Sequence, residues 1–136
     1  MSLDQIYSQQ IKAWAKQANQ DGRLDDFDVS LEKRNPTCGS KVSVTINFKD
    51  QPKIGIDARR ACLLTQAATQ ALLLGPSDQI EKGAEQLQAV LAGETRDLDP
   101  GWAHLETFAP VAAFRARHSS IMLPFNATLE AVRSRD

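Results

Sequence analysis

Hydrophobic and polar positions alternate along this chain in ways that name most of its elements. In residues 4 to 18, Ile6, Ile11, Trp14, Ala15 and Ala18 recur mostly three to five positions apart among polar side chains, the spacing of an amphipathic helix, and Gly22 is placed to end it. Phe27, Val29 and Leu31 then alternate with polar residues, as in a strand with one buried face. After a turn at Asn35-Pro36, the alternation of Val42, Val44, Ile46 and Phe48 with Ser43, Thr45 and Asn47 is the clearest strand signal in the chain. A second turn at 50–52 leads to Ile54, Ile56 and Ala58. Three strands with short connections predict an antiparallel meander.

At Ala61 the period changes. ACLLTQAATQALLLG contains no proline or internal glycine and is rich in good helix formers, so it predicts a helix running to Gly75. It is apolar nearly all round and is expected to be buried on one face of the sheet. Ser77 reads as the cap of a further helix, whose stripe of Ile80, Ala84, Leu87, Val90 and Leu91 stops at Gly93. ETRDLDPG reads as a loop. Pro110 can open a short helix through Phe114, and Pro124 a last one through Leu129 and Val132, because proline is tolerated in a first turn. The predicted fold class is therefore α+β, a three-stranded antiparallel sheet with helices packed against it, in a single domain spanning 1–136.

Composition narrows the function more than the fold. The chain has 136 residues, 42% hydrophobic and 24% charged, the balance of a globular domain able to bury its own core. No apolar run is long enough to cross a bilayer and no signal peptide is evident, so the expected compartment is the cytoplasm and no membrane partner is expected. The formal charge of −1 offers no field for nucleic acid. The basic residues Lys41, Arg59, Arg60, Arg115 and Arg117 would need the fold to gather them into a patch.

Chemistry rests on few residues. Cys38 lies in a Pro- and Gly-containing loop before the long strand, and Cys62 lies where the third strand gives way to the apolar helix. Each is either a small buried hydrophobe or a thiol with work to do, and their separation matches no short ligand motif. A thiol at a helix N-terminus is expected to ionise more readily, which favours Cys62 as a reactive group. His118 is a third candidate, although a lone histidine is more commonly a hydrogen-bonded neighbour than a ligand. His104 has less in its favour, the loop aspartates read as solvated, and Trp14 and Trp102 read as packing residues. The common enzyme signatures are absent, and no general base stands out for a zinc hydrolase, so the chain is not expected to be an enzyme.

Three segments, NPTCGSKVSVTINFKD, ARRACLLTQAATQALL and ARHSSIMLPFNAT, resemble the iron–sulfur cluster assembly scaffold family of the NifU N-terminal, IscU and SufU type. The resemblance runs from about residue 3 to residue 133. It implies the same sheet-and-helix fold, with Cys38 and Cys62 matching the first and second ligand cysteines. Ser40 stands where the family usually has an aspartate. Ser120, aligned through LPFNA, stands at the third cysteine, while a shift by one would set His118 and Ser119 on the His-Cys pair of the IscU branch.

By this resemblance the chain takes sulfur from a cysteine desulfurase on Cys62 or Cys38 and passes a product to cluster-accepting apoproteins. Ser40 and Ser120 flank the bound group, and Cys38, Cys62 and His118 are the expected metal ligands. The expected cofactor is Zn(II) or a labile iron–sulfur cluster, held less firmly than by three thiolates, because a serine hydroxyl stays protonated near neutral pH and thiolates are the softer donors. The alternative implied by the two serines is a scaffold-fold adaptor or regulator of the assembly machinery without cluster chemistry. Self-association into a homodimer stays open.

Overall fold

The computed structural model describes residues 8–18, 22–94 and 97–135. The first helix, α1 (Gln9–Ala18), buries Ile11, Trp14, Ala15 and Ala18 on one stripe. Its start is capped by Ser8, whose Oγ accepts from the Ile11 amide at 3.3 Å. The part of the predicted helix before residue 8, and Ile6 with it, lies outside the described residues.

Three strands follow: β1 (Val29–Arg34), β2 (Lys41–Asn47) and β3 (Lys53–Asp57). They form the predicted meander, order β1-β2-β3, with Val29 opposite Ile46 and Arg34 opposite Lys41 on one side of β2, and Ser43 opposite Asp57 on the other. Val42, Val44 and Ile46 of the central strand are fully buried, as their alternation predicts. Phe27 differs from expectation. The ladder begins at Val29, so the Phe27 ring lies before it and stays 45% exposed instead of joining a buried face.

α2 (Leu63–Leu74) is the apolar helix and α3 (Ile80–Leu91) the striped one. α2 does not use the sheet as its main neighbour. It lies between α1 and the C-terminal helix α4 (His118–Arg133), and α4 covers β1 and β2. A helix apolar on most sides suits a position between two others, and its Leu64, Ala67, Ala68, Ala71 and Leu72 are buried there. The cap of α3 is Gln79, with no side-chain capping bond, rather than Ser77.

Both proline expectations are corrected. A succession of 3-10 turns runs over Pro100–Ala113, so it begins at Pro100 and holds Pro110 inside it. Trp102, Leu105, Phe108 and Val111 are buried at intervals of three, the period of a 3-10 helix. A short 3-10 turn, Arg115–Arg117, leads into α4, where Pro124 likewise sits inside rather than at the start. Proline has no N–H, so the carbonyl of residue 120 lacks its helical donor. The buried Thr65 hydroxyl of α2 fills that role, donating to the Ser120 carbonyl at 2.7 Å. An interhelical bond thus replaces the intrahelical one and ties α2 to α4.

Candidate functional site

The meander brings the two cysteines to one end of the sheet. The β1–β2 turn carries Cys38, and β3, running antiparallel to β2, ends beside the start of β2 and delivers the chain to Cys62 at the N-cap of α2. Both thiols are free and exposed, so neither is core filler.

The Cys38 turn is built by Asn35. Its side-chain oxygen accepts from the Thr37 amide at 2.9 Å, its carbonyl accepts from Gly39 at 2.8 Å, and its own amide donates to the Ser40 carbonyl at 2.8 Å. Gly39 takes φ +75°, a left-handed conformation that glycine adopts without strain. The Asn35 side-chain amide also donates to Ser119 Oγ at 3.1 Å, which anchors the turn to the start of α4. On the other side, the Lys41 amide donates to the Arg60 carbonyl at 3.2 Å and holds the turn to the segment before Cys62.

Ser40 and Ser120, both buried, stand between the thiols. Ser120 Oγ donates to Cys38 Sγ at 3.4 Å. Ser40 Oγ accepts the Cys62 amide at 2.9 Å, which leaves its single hydrogen for a sulfur. Cys62 Sγ lies 3.3 Å from Thr65 Oγ1. Burial pushes both thiols up, but hydrogen bonding to sulfur outweighs it and holds both below the ordinary cysteine value. At Cys38 the lowering comes first from the hydroxyls of Ser120 and Ser40, and at Cys62 from Thr65, by its hydroxyl and its backbone amide, and then from Ser40 and Ser120, each hydroxyl serving one sulfur at a time.

Thr65 has one hydroxyl hydrogen, and the Ser120 carbonyl holds it. Facing a neutral Cys62, Thr65 therefore accepts from the thiol; facing a thiolate, it can donate only by releasing the carbonyl. Thr65 is not legible as a site residue in the sequence, and Asn35 is legible there only as a turn residue. The available signals were an Asx-turn residue before proline and a hydroxyl three residues into a helix that starts at cysteine.

The placement of the remaining candidates is uneven. Ser120 Oγ meets Cys38 Sγ, whereas Ser119 Oγ meets the Asn35 side-chain amide. His118 Nε2 is bonded to the Val111 carbonyl at 3.0 Å, and a carbonyl only accepts, so that nitrogen carries the hydrogen. His118 lines a separate cleft with Arg115, Ser119, Met122 and Asn126. Among the described residues no group of three or more His, Cys, Asp or Glu side chains is placed to hold a metal ion, so the structure does not assemble Cys38, Cys62 and His118 as a ligand set. His104 is a packing residue, with Nε2 2.8 Å from the Ala71 carbonyl and its ring stacked on Trp102. The basic residues do not form one patch: Lys41, Arg59 and Arg60 line a cleft with Glu32 and Asp57, apart from Arg115. Among the described residues no helix is long and apolar enough to cross a membrane.

No family model matches the chain. It is 26% identical over 137 residues to the iron–sulfur cluster assembly scaffold protein IscU of Streptococcus pyogenes serotype M1, covering 96% of this chain and 85% of that protein. Among solved structures it is similar to the N-terminal part of a nitrogen-fixing NifU-like protein from Brucella abortus, with TM-score 0.85, 24% identity, and 96% and 94% of the two chains covered. It is also similar to a candidate iron–sulfur cluster assembly scaffold for the SUF system from Fervidobacterium islandicum AW-1, with TM-score 0.81, 20% identity, and 96% and 99% covered. The structural likenesses show the fold. In sequence the chain is thus similar to an iron–sulfur cluster assembly scaffold protein, and in fold to these solved structures.

Proposed function

We propose that this chain, which carries the sequence likeness and the fold of the iron–sulfur cluster assembly scaffolds, works in cluster assembly as a scaffold or sulfur acceptor and not as an enzyme. Sulfur from a cysteine desulfurase is taken up as a persulfide on Cys62 or Cys38, and the cargo goes on to cluster-accepting apoproteins. The observation that carries this reading is the exposed thiol pair: two cysteines on separate loops, both below their ordinary pKa, sharing the hydroxyls of Ser40 and Ser120.

The donor set defines what can be held. Two thiolates are soft, anionic ligands suited to iron or zinc, and the two serine hydroxyls beside them are poor ones. Iron or a cluster is therefore held as labile cargo that needs a ligand from outside, such as a small thiol or a partner's side chain. His118 enters only if its ring leaves the Val111 carbonyl.

The test is to incubate the reduced chain with a cysteine desulfurase and cysteine under anaerobic conditions, and to measure protein-bound sulfane sulfur and iron. Uptake by the unaltered chain that is lost in the double variant Cys38→Ser, Cys62→Ser is the expected result. A chain that gains neither sulfur nor metal overturns the reading.

The serines at 40 and 120 favour one second reading, an adaptor or regulator that keeps the fold without the chemistry. The double variant Ser40→Asp, Ser120→Cys separates the two. A large gain in metal affinity with no sulfur uptake by the unaltered chain supports the adaptor.

A further inference from the structure

We propose that Cys38 and Cys62 form a sulfide-releasing pair, in which a sulfane sulfur carried on one cysteine is expelled as hydrosulfide by the other, leaving an intramolecular Cys38–Cys62 disulfide. That sulfur arrives on this chain at all rests on the proposed function; what the pair then does with it rests on the geometry.

Both thiols are exposed at the same end of the sheet, and each meets α4 at Ser120: Cys38 Sγ through the Ser120 hydroxyl at 3.4 Å, and Cys62 Sγ through Thr65 Oγ1 at 3.3 Å, whose hydroxyl donates to the Ser120 carbonyl at 2.7 Å. Ser40, two residues after Cys38, accepts the Cys62 amide at 2.9 Å, so the turn that carries one sulfur is tied directly to the segment that carries the other. Ser120 occupies the third corner of this group, and no third thiol, carboxylate or imidazole completes it among the described residues. A persulfide on either cysteine thus meets one soft nucleophile, the other cysteine.

Attack on the outer sulfur only hands it across and changes nothing. Attack on the inner cysteine sulfur is productive. A new sulfur–sulfur bond forms between the cysteines, the bond to the sulfane sulfur breaks, and its electron pair and hydrogen leave as HS⁻. The two cysteine sulfurs together give up two electrons and the sulfane sulfur takes them, so the step balances without an outside reductant. A further turnover requires an external dithiol to reduce the disulfide. Hydrosulfide leaves readily because it is the conjugate base of a stronger acid than a cysteine thiol.

The experiment loads the reduced full chain with inorganic polysulfide, removes excess donor, and follows free sulfide and intact mass anaerobically without reductant. The expected result is about one equivalent of sulfide per chain as the added sulfur is lost, together with two hydrogens relative to the reduced chain, and a 38–62 linked peptide. Cys38→Ser and Cys62→Ser should each take up sulfur on the remaining thiol, which shows the pocket intact. They should release it at least about a hundredfold more slowly, since a neighbouring thiol acts at a far higher effective concentration than a second chain.

Wild-type protein that keeps its sulfur as long as the variants, releases sulfide while both thiols remain alkylatable, or links two chains would overturn the pair. Polysulfide makes this readout independent of the sulfur source. Release after polysulfide with no loading from a desulfurase overturns the donor and supports the pair, whereas loading from a desulfurase with no release overturns the pair and keeps the donor.

Discussion

The two ends of α2 are built by opposite rules. At its N-terminus, Cys62, Thr65, Ser40 and Ser120 form a hydroxyl-and-thiol network that crosses from loop to helix. At its C-terminus, Gly75 leaves room for the fully buried Trp102, whose ring also fills the notch at Gly83 of α3. A Cβ at Gly83 would come within 2.7 Å of that ring. The Trp102 indole N–H is buried and has no hydrogen-bond partner among the described residues, and the contacts at Gly75 and Gly83 are contacts of shape. One end holds the fold by volume, and the other holds reactive groups by hydrogen bonds. The difference teaches that stability and thiol chemistry can be perturbed separately.

Trp102→Ala gives the largest expected effect, a loss of about 3–5 kcal/mol in urea unfolding from an emptied core site. Cys38 and Cys62 in the remaining folded protein should still react with iodoacetamide as before; altered thiol reactivity would break the separation of the two ends.

Thr65→Val comes next. It keeps the shape but strips the donor from the buried Ser120 carbonyl, at a cost of about 1–3 kcal/mol. In a Pro124→Ala background the restored amide can serve that carbonyl, so the same substitution should cost less. A double-mutant cycle with no coupling would show that the proline and the threonine are independent. Gly83→Ala, which forces the Trp102 ring to move, should cost about 1–3 kcal/mol and show no coupling to Thr65→Val.

The smallest effect is on ionisation. Because the folded chain holds both thiols lower than the unfolded chain does, their contribution to stability is complete above about pH 8.5, the ordinary cysteine value. It is lost as pH falls through the lower folded values. Alkylation rates of Cys38 should accordingly show a midpoint lower in the folded chain than in the urea-unfolded one, and Ser120→Ala should move that midpoint upward by removing a donor to the thiolate. An unmoved midpoint would remove Ser120 from the thiol site.

Local pattern carried most of the fold. Val42, Val44 and Ile46 alternate because one face of β2 is buried, and the stripe of Ile80, Ala84, Leu87 and Leu91 follows the helical period. The elements misread were those whose local rule is overruled at a distance. Pro124 looked like a helix start because its missing N–H normally forbids a helix interior, and only Thr65, from another helix, makes that interior tolerable. The 3-10 stretch is hidden in the sequence because its period of three fits neither the period of two of a strand nor the 3.6 of an α-helix.

The amino-acid sequence by itself determined the sheet, the helices and the identity of the two thiols, because these follow from periods and residue types within a few positions. Tertiary structure alone decided that Ser120 faces the thiols while Ser119 meets Asn35, and that His118 turns to the Val111 carbonyl. Neighbouring positions on one helical turn differ by about a hundred degrees in direction, and which of them meets a loop from the far end of the chain depends on how whole elements pack.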